Sequence, residues 1–163
     1  MGQGMMAAAF LIALGLLTMF FSGVEEKQRN PNQTPNSTLQ GNLVEVVLDR
    51  NRQGHYLVVG EINGLPAEFL LDTGATDVVV PEPIAADLGL SKGRPARAMT
   101  ANGAVTVYDT RIAELKIGKI TLRDVNASIN PGMRNQEILL GMSALKHIEF
   151  VQRGSQLTLR QFN

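Results

Sequence analysis

Apolar positions along this chain follow two regimes. The first is continuous: "MMAAAFLIALGLLTMFFSG", Met5 to Gly23, is apolar apart from small residues and Thr18, and no charge precedes Glu25. As a helix rising about 1.5 Å per residue, this run covers roughly 28 Å, close to the hydrocarbon thickness of a bilayer. A helix that is apolar all round and joined to a polar segment does not suit a soluble core. Residues 1–24 therefore read as a membrane anchor. A cleaved signal peptide is the competing reading, but the amino end lacks Lys and Arg, the run is long, and no A-x-A-like site follows it. Residues 25–41, "EEKQRNPNQTPNSTLQG", hold almost no apolar side chain and cannot bury enough surface to offset the entropy of ordering. They are expected to form a flexible polar linker to a folded domain spanning 42–163.

The second regime is alternation. "LVEVVLDR" (Leu43 to Arg50) and "HYLVVGEI" (His55 to Ile62) are β-rich runs separated by the turn-like "NRQG". Asn63-Gly64 is a two-residue hairpin signal, because both central positions of a type I′ turn need positive φ. The returning strand, "PAEFLLD", delivers Asp72 at its end. "PEPIAADLGL" suits a short helix, with Pro near its start and Gly89 near its end. "ARAMTANGAVTVYDTRIAEL" predicts a second hairpin turning at Asn102-Gly103. A strand pair around Ile117 to Ile120, a buried strand at "QEILLG", one or two helical turns at "MSALKHI" and a closing strand at "SQLTLRQF" complete the pattern. In that last strand Leu157 and Leu159 share a face. Many short strands with regular turn signals predict an all-β domain, closed or strongly curved, with one or two short helices.

Composition removes several functions. Fifteen basic residues balance fifteen acidic ones, and no basic stripe is interleaved with aromatics, so nucleic acid is not an expected partner. Without Cys there is no disulfide, thiolate nucleophile or Cys-based zinc site. His55 and His147 lie far apart and outside any metal-ligand pattern, which points to structural or surface roles. Lys27 and Arg29 follow the apolar span beside Glu25 and Glu26. Their positive charge alone leans toward a cytoplasmic carboxyl end.

Candidate chemistry centres on "LLDTGATDVVV", residues 70 to 80. Asp, Thr and Gly are ordinary turn residues. An apolar "FLL" before the triplet, "VVV" after it and "ILLG" at 138 to 141 instead bring buried strand ends toward one carboxylate. "FLLDTGATDVVVPE", "AMTANGAVTV" and "ILLGMSALKHIEF" together make residues 55 to 162 resemble a retropepsin-like aspartic protease protomer, a half-size relative of pepsin. With one anchor ahead of the domain, the chain is similar to bacterial membrane-tethered single-domain proteases of clan AA.

That resemblance implies a retropepsin-like acid-protease fold and an aspartic endopeptidase with no metal or other cofactor. A protomer with one Asp-Thr-Gly motif must form a homodimer, Asp72 of each subunit meeting across a two-fold axis. Two such carboxylates share one proton. One acts as general base on a water while the other, protonated, donates to the scissile carbonyl oxygen. By resemblance Thr73 ties the two loops together across the dimer, and Gly74 lets backbone approach the carboxylate. Ala75 offers no hydroxyl to the ionised pair, which implies activity at mildly acidic to neutral pH. Met99 to Thr106 corresponds to the flap that closes over the peptide. Polypeptide substrate would lie extended between Thr100, Ala101, Asn102, Gly103 and Ala104 of that flap and the loop of Ala75, Thr76 and Asp77. Apolar pockets are expected around Val79, Ile84 and Leu140. Retroviral relatives carry an Asp–Arg ion pair where this chain has Thr76 and Met142. The resemblance further suggests a single-pass inner-membrane protein with its protease domain in the periplasm.

Two other functions bear on the same residues. Gly141-Met142-Ser143 suggests a serine hydrolase, yet a nucleophile elbow needs Gly at position 145, which is Leu. A retropepsin-fold module that binds peptides or dimerises without cleaving is the alternative from another class.

Overall fold

The computed structural model describes residues 2–100 and 103–162. In chain order its elements are α1 (Gly2–Arg29), β1 (Asn36–Gln40), β2 (Leu43–Asp49), β3 (Leu57–Ile62), β4 (Leu65–Leu71), β5 (Val78–Pro81) and α2 (Glu82–Ala85). There follow β6 (Pro95–Thr100), β7 (Gly103–Ile117), β8 (Ile120–Asn130), β9 (Ile138–Leu140), α3 (Met142–Leu145), β10 (Glu149–Arg153) and β11 (Gln156–Phe162).

Two sheets make the domain. The smaller is antiparallel, in the order β1-β2-β11-β10. Period-two alternation turns Val44, Val46 and Leu48 of β2 and Leu157 and Leu159 of β11 into the core. The larger sheet runs β3-β4-β9-β5-β8-β7-β6, and β3 also pairs with β7, so six strands close a ring. Closure requires close backbone approach: a Cβ on Gly60 would stand 2.2 Å from the Lys116 carbonyl oxygen, which only glycine avoids. Strand β6 stays outside the ring and pairs only with the first part of β7, from Pro95↔Tyr108 to Thr100↔Gly103. Those paired segments form an arm whose far end is exposed, Met99 being 80% exposed. The expected closed, all-β architecture is thus present, as is the Asn63-Gly64 turn, with φ of 53° and 79°.

The runs flanking "NRQG" join different sheets, β2 the smaller and β3 the ring. Buried Asn51 bends the chain between them: its side-chain oxygen accepts from the N–H groups of Gln53 and His55, and its amide donates to the Arg29 carbonyl.

The largest correction concerns residues 25–41, expected to be a flexible linker. Residues 25–29 continue α1, and β1 pairs along the length of β2. Between them Asn30 and Asn32 are buried. Asn32 donates to the carbonyls of Asp49 and Leu57 at 2.9 and 2.6 Å and accepts from the Asp49 N–H at 2.7 Å. Asn30 donates to Glu68 at 2.6 Å. The Arg29 guanidinium pairs with Glu26, Glu68 and Glu137 at 3.0, 2.8 and 3.0 Å. Counting apolar surface misses this order because the segment is held by amide and guanidinium hydrogen bonds that replace backbone–water bonds. The rest of α1 projects from the domain, exposed over residues 4–28, and is long and apolar enough to cross a membrane, with mean hydropathy 2.2.

Strands β4 and β9 run parallel, Leu71 beside Leu140, and deliver the chain into a loop over residues 72–77. Gly141, directly after β9, lies beneath that loop. A Cβ there would meet the carbonyl oxygens of Asp77 at 2.1 Å and Ala75 at 2.7 Å, both fixed backbone atoms.

Two substitutions test this packing by equilibrium unfolding of the full chain in detergent. Gly141→Ala must push the loop off β9 and is expected to cost at least about 3 kcal/mol. Asn32→Ala strands three backbone groups and is expected to cost about 2–4 kcal/mol.

Candidate active site

Asp72 leaves the end of β4 with its backbone still held by the sheet: its N–H donates to the Leu140 carbonyl at 3.2 Å. The chain then turns tightly, the Ala75 N–H reaching back to the Asp72 carbonyl at 3.2 Å. Within that turn the Gly74 N–H donates to Asp72 Oδ1 at 2.9 Å, fixing one side of a half-buried carboxylate. An ionised oxygen bound by a backbone N–H makes a charge-assisted hydrogen bond, stronger than its neutral counterpart.

The far side of the loop is tied to the chain after β9. The Ala75 and Thr76 carbonyls accept from the N–H groups of Met142 and Ser143, each at 2.8 Å. Thr76 and Met142 carry no charge, and the two segments are joined by backbone hydrogen bonds. Ser143 extends the tie. Its buried hydroxyl donates to the Asn126 carbonyl at 2.7 Å and accepts from the Val78 N–H at 2.9 Å, linking β8, α3 and the start of β5. A hydroxyl so engaged is a brace, and His147, the imidazole a serine nucleophile would need, is exposed on the surface, as is His55. Sequence reading considered Ser143 only as a nucleophile; a small polar residue just after a buried strand end is the signal for the bracing role.

Thr73 and Gly74 are exposed at the turn. Thr73 lines a groove of about 300 Å³ with Tyr56, Leu71, Leu145, Phe150, Gln152 and Leu157. Tyr56 is 9% exposed, and among the described residues its buried hydroxyl has no hydrogen-bond partner. No pattern in the sequence singles out Tyr56. Of the residues expected to contact substrate, Ala75 and Asp77 are half-buried and Thr76 is exposed. Thr100, Gly103 and Ala104 are exposed on the β6–β7 arm, where Thr100 Oγ1 donates to the Gly103 carbonyl at 2.8 Å. Ala101 and Asn102 lie outside the described residues. Leu140 requires correction: it is 0% exposed, so its side chain belongs to the core and its contribution to the site is the carbonyl that holds Asp72. Val79 is half-buried beside Leu139. Ile84 lines a separate hollow of about 330 Å³ that includes Glu68 and Gln136.

One carboxylate fixed by backbone at a half-open turn can serve as a base or, protonated, as an acid. It cannot do both in one step, so acid–base hydrolysis of an amide at this turn needs a second group.

Comparison with known proteins bears on this arrangement. Residues 58–147 match the family described as "gag-polyprotein putative aspartyl protease". The chain is 32% identical over 120 residues to an uncharacterized protein in the cobV 5′ region of Sinorhizobium sp., covering 71% of this chain and 52% of that one. It is 29% identical over 109 residues to an uncharacterized protein of Rickettsia prowazekii, with coverages of 64% and 46%. The chain therefore spans about half the length of the curated relatives it matches. Among solved structures, its fold is similar to that of a retropepsin-like aspartic protease from Rickettsia conorii, with a TM-score of 0.60, 24% identity, and coverage of 78% of this chain and 95% of that one. The family match runs from β3 through α3 and contains both the Asp72 turn and Gly141: the chain belongs to the gag-polyprotein aspartyl protease family and has the retropepsin-like fold.

Proposed function

We propose that the protein is an aspartic endopeptidase that hydrolyses peptide bonds as a homodimer, with Asp72 of each subunit forming one catalytic dyad. The observation that carries this reading is the half-buried Asp72 carboxylate on a turn bound at both ends to β9 and α3. A turn with no chemical role would not need so many constraints around one carboxylate. Membership of the aspartyl protease family supports the same assignment.

With two Asp72 side chains brought together, mutual repulsion leaves one proton on the pair. The ionised member takes a proton from water as the water oxygen bonds to the scissile carbonyl carbon, while the protonated member donates to the carbonyl oxygen. Collapse of the tetrahedral intermediate breaks the C–N bond as the now-protonated carboxyl gives its proton to the amine nitrogen and a hydroxyl of the intermediate returns one to the ionised carboxylate, so the dyad again holds one proton. The exposed Thr73 and the adjoining groove with the unpartnered Tyr56 hydroxyl support a second subunit closing there, since buried polar groups ordinarily find partners. The β6–β7 arm serves as the flap, and α1 holds the enzyme in the inner membrane with the domain on the periplasmic side. Two copies confined to one bilayer meet at raised effective concentration.

Asp72→Asn preserves the acceptor for the Gly74 N–H and removes the titrating oxygen. Incubated with a diverse peptide mixture, the full chain is expected to cut with a rate that rises more steeply than linearly with enzyme concentration. The variant should lose at least about a thousandfold. Absence of cleavage from a demonstrably dimeric sample would leave a peptide-binding or dimerisation module of the same fold.

A further inference from the structure

The junction between α1 and the domain has none of the slack its composition suggests. Register places Glu68, just before Phe69 of β4, beside Glu137, just before Ile138 of β9. Like charges side by side on adjacent strands repel. Arg29, at the carboxyl end of α1, bridges both. Asn30 donates to Glu68, Asn51 donates to the Arg29 carbonyl, and Arg52 donates to Gln28, so the helix end is held from two sides. The two strands clamped by the helix end, β4 at its middle and β9 just before its first residue, are the two that position Asp72.

Distance follows from this continuity. Four residues of helix, one pair of bridging side chains and four residues of strand separate Glu25, the first charge after the apolar run, from Asp72. Together they bound the separation at about 30 Å. A flexible linker would let the catalytic turn wander well beyond that limit.

We propose that this fusion fixes the enzyme's reach and makes its substrates polypeptide segments within about 30 Å of the bilayer that holds α1. The inference rests on the protease reading and on α1 crossing that bilayer. Membrane-anchored polypeptides with extended stretches just outside the lipid are the substrate class, and bonds carried farther out escape.

The test uses the full chain in phospholipid vesicles with single-span substrates bearing a sequence that the same enzyme cuts as a soluble peptide. In one substrate the sequence adjoins the span; in the other a rigid helical spacer carries it about 60 Å farther out. The near site is expected to be cut at least about tenfold faster than the far one. A variant with a forty-residue Gly/Ser insertion between Val24 and Glu25 leaves the Arg29 clamp intact and should cut both sites within about threefold of each other. Equal cutting of near and far sites by the uninserted chain would overturn the proposal. Failure on the soluble peptide as well would instead overturn the protease reading, and the substrate assignment with it. A readout independent of activity is available because the chain has no Cys. A dye on Ser155→Cys and acceptor lipids should report one narrow distance that broadens with the insertion, and an equally broad distribution in the uninserted chain would contradict a fixed reach.

Discussion

Nothing larger than hydrogen fits on residue 141, and the Asp72 turn depends on that. The carbonyl oxygens of Asp77 and Ala75 occupy the space a Cβ would need, so the loop descends onto the backbone of β9's end and hydrogen-bonds to it. From that contact follow the ties of Ala75 to Met142 and Thr76 to Ser143, and the position of Ser143's hydroxyl between Val78 and Asn126. Asp72 is therefore placed by backbone packing, with side chains bracing from outside. Backbone placement tolerates Thr76 and Met142, where an ion pair would otherwise be expected, because the two segments remain joined by main-chain groups and no unpaired charge is buried.

Much of this was legible in the sequence wherever burial alternates. The patterns of β2, β3, β4 and β11 reflect one covered face, and the positive φ demanded at Asn63-Gly64 marks its turn. Strands β1 and β10 were invisible for a physical reason. "NSTLQ" and "EFVQR" turn no residue fully into the core, and their conformation comes from pairing at the edges of the four-stranded sheet. The site motif was legible because Asp-Thr-Gly and the later Gly are steric requirements written as residue types. Leu140 was misassigned because an apolar residue near a carboxylate reads equally well as pocket wall or as core. The Asn-rich stretch after α1 misled in the opposite direction: its order rests on directional hydrogen bonds, which hydropathy does not count.

The end of α1 and the Asp72 turn are held by the same two strands. Arg29 neutralises Glu68 midway along β4 and Glu137 just before β9, and Asp72 and Gly141 directly follow the last residues of those strands. A close-packed interior is little compressible, and the hydrogen bonds from Arg29 to Glu68 and Glu137 join the helix end to the strands that carry the turn. In the proposed membrane-held protease, the helix end thus sets where the chemistry takes place.

The central claim is that each site takes one Asp72 from each of two chains. Mixing wild-type and Asp72→Asn protein at constant total concentration, with time for subunit exchange, tests it most directly. If the dyad spans two subunits, an equal mixture retains about a quarter of the wild-type activity, because only paired wild-type chains are competent. Retention of about half, in proportion to the wild-type chains present, would show that each chain works alone and contradict the account.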